Sequence, residues 1–238
     1  MNNDLFKVMI NDIKEEPKGT KSFYFAIPDG MSWGAGADIH VAHPDFMSSN
    51  QPDKSLIRHM SIMTLPEEGK LGITTRVPGS GSDYKRRLGS LAIGDELVLF
   101  KLGNRIPLRR EGRPVVLISM GVGTATMRPM LLSWSKDPTG IPSVTNLVVS
   151  RPRQFVFRDE LESLTERALV QNFSDDRKDF YRDLNERDFE ADSIFFIVGS
   201  DNFLIEVIQQ LKARGINPDS IEVDLKPDKR ALIIEGVR

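Results

Sequence analysis

The sequence predicts two successive domains of different architecture: an antiparallel Greek-key β-barrel over residues 1–110, then a doubly wound parallel α/β sheet over residues 111–238. Three observations predict it. The first hundred residues break into short β-branched and aromatic runs with no long helical pattern. After about residue 112, near-continuous apolar runs alternate with amphipathic helical ones. The polar segment "LRREGRP" separates the two rhythms, and 238 residues suffice for two domains of ordinary size.

Taken in order, "FKVMIND", "KSFYFAI", "DIHVAH", "LIRHMSIMT", "LGITTRV" and "ELVLF" are the barrel strands. Turn-rich stretches such as "PDGMSWGAG" and "VPGSGSD" separate most of them, and closure into a barrel removes exposed edges. In the second half "RPVVLIS", "TNLVVS" and "SIFFIVGS" read as strands covered on both faces. "RDELESLTERAL" is expected to be a helix, with Asp159 and Glu160 suiting the dipole of its first turn. In "NFLIEVIQQLKARG", Phe203, Leu204, Val207, Ile208 and Leu211 share one helical face, and Gly215 ends the helix. The charge-rich "SDDRKDFYRDLNERDFE" reads as a solvated helix or connecting loop.

Composition narrows the function. A net charge of −2 gives no reason to expect nucleic acid or an anionic membrane as partner. No apolar run approaches the ~18 residues of a membrane span, the amino-terminal segment lacks an apolar h-region, and the cytoplasm is the expected compartment. The chain has no cysteine, which excludes disulfides, a thiol nucleophile and cysteine-ligated clusters. Electrons, if this chain moves them, ride on a bound organic cofactor or on a partner.

"SMGVGTATMRPML" follows directly on an apolar strand. Gly121 and Gly123 let a backbone approach a diphosphate at a helix N-terminus, Thr124 offers a hydroxyl, and Pro129 suits an early helical position. A lone G-x-G is also compatible with a plain structural turn. Where a dinucleotide site carries an acidic residue for the ribose diol, "NLVVSRPR" ends with Ser150, Arg151 and Arg153, which suit a 2′-phosphate and favour NADP(H). His40 and His43 stand three apart on a strand and point to opposite faces, so no metal site is expected. Trp33 in its Gly-rich loop is expected to pack on the surface, and Met63 and Met127 in the core.

Stretches along both halves of the chain together resemble the ferredoxin-NADP reductase family, without an iron–sulfur domain. Arg58, His59, Met60 and Ser61 are similar to its R-x-[Y/F]-[S/T] strand. Gly79, Ser82, Lys85 and Leu88 resemble its G-x-x-S-x-x-K-x-x-L segment, with Gly81 inside it, and Gly94 and Asp95 its Gly-Asp strand. Gly121, Val122, Gly123 and Thr124 resemble the nicotinamide-nucleotide turn, "VVSRPRQFVFRDEL" the adenosine segment, and "FIVGSDNF", with Gly199, the family's Cys-Gly turn. The resemblance runs over nearly the whole chain. It implies an FAD-binding barrel, an NAD(P)-binding α/β domain, and hydride transfer from NADPH or NADH to FAD. Electrons then pass to a separate small-molecule or redox-protein acceptor. It places Arg58 and Lys85 on the FAD diphosphate and Ser61 beside flavin N5, the one catalytic candidate. Four positions depart from the family: Met60 replaces an aromatic, Thr126 a proline, Val198 the cysteine, and "DLK" ends the chain's last strand where E-x-[F/Y] is usual. These departures keep two alternatives open: a catalytically weak flavin module serving a partner protein, and an α/β protein that binds a nucleotide without flavin.

Overall fold

A computed structural model describes residues 5–17, 19–48, 50–77 and 82–236. The chain divides into two compact units, Met1–Asn104 and Arg105–Arg238.

In the first unit six strands form one antiparallel sheet: β1 (Phe6–Glu15), β2 (Thr20–Phe25), β3 (Ala37–Ala42), β4 (Ile57–Ser61), β5 (Leu71–Arg76) and β6 (Glu96–Asn104). Their order is β4-β3-β6-β1-β2-β5. The sheet curls until its edges meet. Ile62 bridges Ile73, and the Met63 N–H donates to the Gly72 carbonyl at 2.9 Å. Strands β3, β4 and β5 therefore neighbour one another in turn, and β6 returns to lie beside β3, which is the Greek-key pattern. Alternate residues such as Val8, Ile10, Ile39 and Val41 point inward and are buried. Gly72 makes the closure possible. A Cβ there would stand 2.5 Å from Met63 Cε and 2.9 Å from Thr64 Cγ2. Trp33 belongs to this core and not to the surface, because its indole N–H donates to the Thr64 carbonyl at 2.7 Å.

A second, smaller apolar cluster lies on the barrel's outer side. There Phe46 stacks on Phe100 at 5.4 Å between ring centroids, with Leu56 and Val98 beside them. The segment that covers it carries two 3₁₀ turns, Pro44–Met47 and Lys54–Leu56. The single α-helix described in this unit is α1 (Asp83–Ser90), which buries Tyr84 and Leu88.

The second unit is a five-stranded parallel sheet of order β11-β10-β7-β8-β9, with β7 (Val115–Met120), β8 (Val144–Val149), β9 (Leu169–Ser174), β10 (Ile194–Val198) and β11 (Ile221–Val223). From β7 the chain winds outward through β8 to β9, then returns to β10 on the other side. Five helices accompany the strands: α2 (Thr124–Lys136), α3 (Arg158–Glu162), α4 (Arg177–Glu186), α5 (Asp201–Ala213) and α6 (Pro227–Glu235). All five apolar positions expected on the α5 face are buried, and Gly215 adopts φ 81° just past its end. Met63 and Met127 are buried.

Two local expectations are corrected. The helix at "RDELESLTERAL" stops at Glu162. Ser163 ends it, donating its hydroxyl to the Glu160 carbonyl at 2.6 Å, and the chain goes on to edge strand β9, whose mixed polarity hid it. Pro129 lies inside α2, not in its first turn, so the ladder lacks one N–H there.

Gly72→Val is expected to destabilise the barrel by about 1–3 kcal/mol through overpacking. The chain has two tryptophans, so a Trp134→Phe background leaves Trp33 as a reporter of the barrel's urea transition. An unchanged midpoint would mean that the Met63–Gly72 closure is not tight.

Candidate functional site

On β4 one residue is buried and the others are half-buried. Met60 is packed with the barrel core, whereas Arg58, His59 and Ser61 are half-buried. Arg58 is held from two sides. Its Nη1 donates to the Ile57 carbonyl at 2.6 Å and to that of Ser55 at 3.1 Å, and its guanidinium carbon lies 4.9 Å from the centre of the Tyr84 ring. These contacts leave Nε and Nη2 available. Ser82 occupies the N-cap position of α1, where its carbonyl accepts from the N–H groups of Lys85 and Arg86. Gly79 and Gly81 lie outside the described residues.

Lys85 is half-buried on α1. Its ammonium is pushed below the usual lysine range, first by burial and then by repulsion from Arg58 and Arg76. Among the described residues, no carboxylate pairs with Arg58, Arg76 or Lys85. A half-buried lysine repelled by two guanidinium groups, with no described counter-ion, is a candidate site for an anion. The neighbouring basic residues are neutralised instead: Arg86 pairs with Asp83 at 2.8 Å, and Arg87 with Asp45 at 2.7 Å. Two of the three, Arg58 and Lys85, belong to the segments that the sequence reading assigned to a diphosphate.

The register of β3 against β4 sets Asp38 opposite Ser61 and His40 opposite His59. His59 Nδ1 lies 3.3 Å from a carboxylate oxygen of the buried Asp38, and the His40 and His59 rings meet edge to face at 5.7 Å. His43 turns elsewhere, to Tyr84, so the two histidines of "HVAH" have separate partners. Asp38 and Tyr84 are the neighbours that the sequence reading missed. The cross-strand register identifies Asp38, and an aromatic residue between Ser82 and Lys85 was the available signal for Tyr84.

In the second unit, β7 and β10 are adjacent although their crossovers leave in opposite directions, and such a switch point opens a crevice at the carboxyl ends of the strands. The turns that follow both strands lie there. Gly121 adopts φ 59°, and Gly121–Gly123 form one 3₁₀ turn that runs into α2. Val122 is half-buried in that turn. A Cβ on Gly123 would stand 2.8 Å from the Val198 carbonyl, so only glycine lets the turn sit against β10. Gly199 is constrained likewise, since its Cβ would come within 2.4 Å of the Phe203 ring. The Thr124 hydroxyl is buried and donates to the Gly121 carbonyl at 3.0 Å, with Ser119 Oγ 3.2 Å away. It clasps the turn shut. Thr126 is buried on α2.

After β8 the chain makes a tight loop. The Ser150 hydroxyl donates to the Gln154 carbonyl at 3.0 Å, and the Gln154 N–H to the Arg151 carbonyl at the same distance. Arg151 and Arg153 stand exposed on it, and no described carboxylate pairs with either. Arg153 adopts φ 59°, a left-handed conformation that costs a non-glycine residue roughly 1–2 kcal/mol. Strain of this kind collects where a loop is shaped for binding. The next strand outward is of opposite character: the end of β9 and the face of α4 line a cleft of about 490 Å³ with Asp175, Asp179, Asp183 and Glu186. Arg182 lines the same cleft and pairs with Asp179 at 2.8 Å, and Arg187 pairs with Asp183 at 2.7 Å.

No protein-family model matches the chain. No curated protein matches it either. Solved structures do. Flavohemoglobin from Malassezia yamatoensis, solved with bound FAD and heme, aligns with 92% of this chain at a TM-score of 0.76 and 17% identity. The chain spans 59% of that protein's length. The FAD/NAD-binding domain of nitric oxide dioxygenase from Vibrio cholerae aligns over 92% of this chain and 98% of its own, at a TM-score of 0.70 and 22% identity. Phthalate dioxygenase reductase, described as a modular structure for electron transfer from pyridine nucleotides to a [2Fe-2S] centre, gives 0.73 and 19% over 92% of this chain and 67% of its own. The chain thus has the ferredoxin reductase-like fold, an antiparallel barrel followed by a parallel α/β unit, in common with FAD/NAD-binding reductase domains.

Proposed function

We propose that the protein is an FAD-dependent NAD(P)H oxidoreductase, which passes a hydride from NADPH or NADH to FAD and then electrons to a separate small-molecule or redox-protein acceptor. The observation that carries this reading is the group of Arg58, Arg76 and Lys85, three cations without a described carboxylate on a barrel of this fold. A diphosphate supplies the missing counter-charge.

When bound, FAD supplies the hydride and one-electron chemistry, which needs little acid–base work from side chains. The chain's own residues bind and orient. Arg58 uses the nitrogen atoms left over from its carbonyl contacts, and Lys85 a point charge one helical turn from Ser82. Ser61 presents a half-buried hydroxyl at the end of β4 as the hydrogen-bond partner for flavin N5, with His59 on the same strand face. Met60 backs this strand from the barrel core. For the pyridine nucleotide, the turn of Gly121, Val122 and Gly123 brings the backbone close to a diphosphate at the start of α2, with Thr124 holding its shape and Gly199 closing the adjacent turn. Arg151 and Arg153 offer guanidinium groups to a 2′-phosphate, and Ser150 fixes their loop, which supports NADPH as the preferred donor.

A second reading has a specific observation behind it. Val198 packs its side chain and carbonyl against Gly123, at the position where the resemblance expects a smaller, polarisable cysteine. A module that holds FAD and is reduced slowly fits that substitution. One titration separates the two. Purified protein loaded with FAD is expected to show a flavin absorption band that anaerobic NADPH bleaches within seconds. A stable band with both NADPH and NADH would leave only the binding module, and protein unable to take up FAD would end both readings.

Arg58→Ala and Lys85→Ala are each expected to weaken FAD binding about ten- to hundredfold, the effect of losing a charge-assisted hydrogen bond. Flavin fluorescence during titration measures it, and wild-type affinity in both variants would remove the diphosphate assignment. Arg151→Ala is expected to raise KM for NADPH about tenfold while leaving KM for NADH within about twofold. Equal changes for the two nucleotides would count against a 2′-phosphate at this loop.

A further inference from the structure

Tyr84 is a buried side chain beside the proposed diphosphate site, and nothing in the hydride chemistry uses it. It is fully buried on α1, and its hydroxyl has no hydrogen-bond partner among the described residues. Its ring contacts two ionisable groups. The Arg58 guanidinium lies 4.9 Å from the ring centre, and the His43 imidazole 4.8 Å from it at a tilt of 58°. His43 also binds α1 through the backbone, with Nε2 3.1 Å from the Tyr84 carbonyl. A carbonyl only accepts, so Nε2 carries the proton in that bond. Because an unpaired buried hydroxyl costs stability, the aromatic face is the part of Tyr84 that has a partner worth keeping.

We propose that Tyr84 is a positioning residue for Arg58, and that His43, packed against the same ring, makes the grip on the FAD diphosphate sensitive to acid. The inference rests on the FAD reading above. A guanidinium on a four-bond stem loses rotamer freedom when it binds an anion, and a ring that already fixes its plane removes part of that cost. The ring in turn stays in place because His43 and the 3₁₀ turn behind it are tied to α1, through the Tyr84 carbonyl and through Arg87, which pairs with Asp45 at 2.7 Å.

The direction of the pH effect follows from the surroundings of His43. Burial and the nearby Arg87 push its imidazole below the usual value, while the Tyr84 carbonyl, Asp45 and Asp83 oppose that shift. The neutral ring is therefore the form that packs. The unfolded or displaced segment binds the extra proton more readily, so the packed arrangement loses stability as pH falls below about 6.5. Arg58 then loses its support, and FAD affinity falls with it.

The test is an FAD titration followed by flavin fluorescence at pH 7.5 and pH 5.5. Wild-type protein is expected to bind more weakly, by up to about tenfold, at the lower pH, which lies one pH unit below the ordinary imidazole value. At pH 7.5, Tyr84→Leu is expected to bind about tenfold more weakly than wild type, and Tyr84→Phe, which keeps the ring and drops the unpaired hydroxyl, to restore most of the affinity. His43→Gln, whose amide can still donate to the Tyr84 carbonyl, is expected to bind FAD at pH 5.5 as it does at pH 7.5. Wild-type affinity in Tyr84→Leu, or an acid-weakened His43→Gln, overturns this inference while the FAD reading stands. Failure of the wild-type protein to bind FAD at pH 7.5 overturns both.

Discussion

Positive charge without a counter-ion is the constraint from which the barrel's local design follows. Lys85 is driven below its usual range first by burial and then by repulsion from Arg58 and Arg76. A folded chain tolerates that arrangement only if strong local restraints hold it. The restraints are specific: two backbone carbonyls on one nitrogen of Arg58, a buried aromatic ring 4.9 Å from its guanidinium carbon, and a helix that Ser82 caps and that carries Lys85 in its first turn. Elsewhere in this unit exposed arginines on the same helix meet Asp45 and Asp83, the ordinary solution. Within this one eight-residue helix, Arg86 and Arg87 have carboxylate partners and Lys85 has none among the described residues.

Backbone geometry carries the corresponding argument in the α/β unit. The order β10-β7-β8 places two strand ends side by side with their connections departing in opposite directions. Gly123 then has a Val198 carbonyl where its Cβ would be, and Gly121 supplies a left-handed residue that turns the chain into α2. Thr124 spends its hydroxyl proton on the Gly121 carbonyl. The turn is closed by its own hydrogen bond and close packing, and a preformed turn of this kind would lose little freedom on binding a ligand.

The sequence made the fold legible because both periodicities are strong. All six barrel strands follow alternating or aromatic runs, and the apolar face of α5 was readable residue by residue. Strand β9 was not readable. Its residues "LVQNFS" form an edge, with Val170 exposed and Asn172 bonded to Asp183, so neither alternation nor an apolar run marks it. The candidate site was legible to the extent that it depends on residue type in a short motif, as with Arg58, Lys85, Gly121 and Gly123. What escaped were partners brought from far along the chain: Asp38 through the β3–β4 register, and His43 through the segment that covers α1. Pro129 escaped for a different reason, since a 3₁₀ turn shifted where the α-helix begins.

The weakness of the motifs and the strength of the structural match have one explanation. Alignment over more than nine-tenths of this chain comes with 17–22% identity in the three relatives described. Recognition of a diphosphate by peptide N–H groups, one or two cations and glycines that permit close approach fixes few side chains, because the backbone does most of the contacting. Glycine at 123 is required by a carbonyl 2.8 Å from its missing Cβ, whereas residue 126 is merely buried on a helix, so a proline there is one of several side chains that fill the space. Positions that only have to be apolar drift, and Met60 in the barrel core is such a position. Arg58 is not. Its Nη1 is held by two backbone carbonyls and its guanidinium carbon lies 4.9 Å from the centre of the Tyr84 ring, contacts that need a planar cation with several donors.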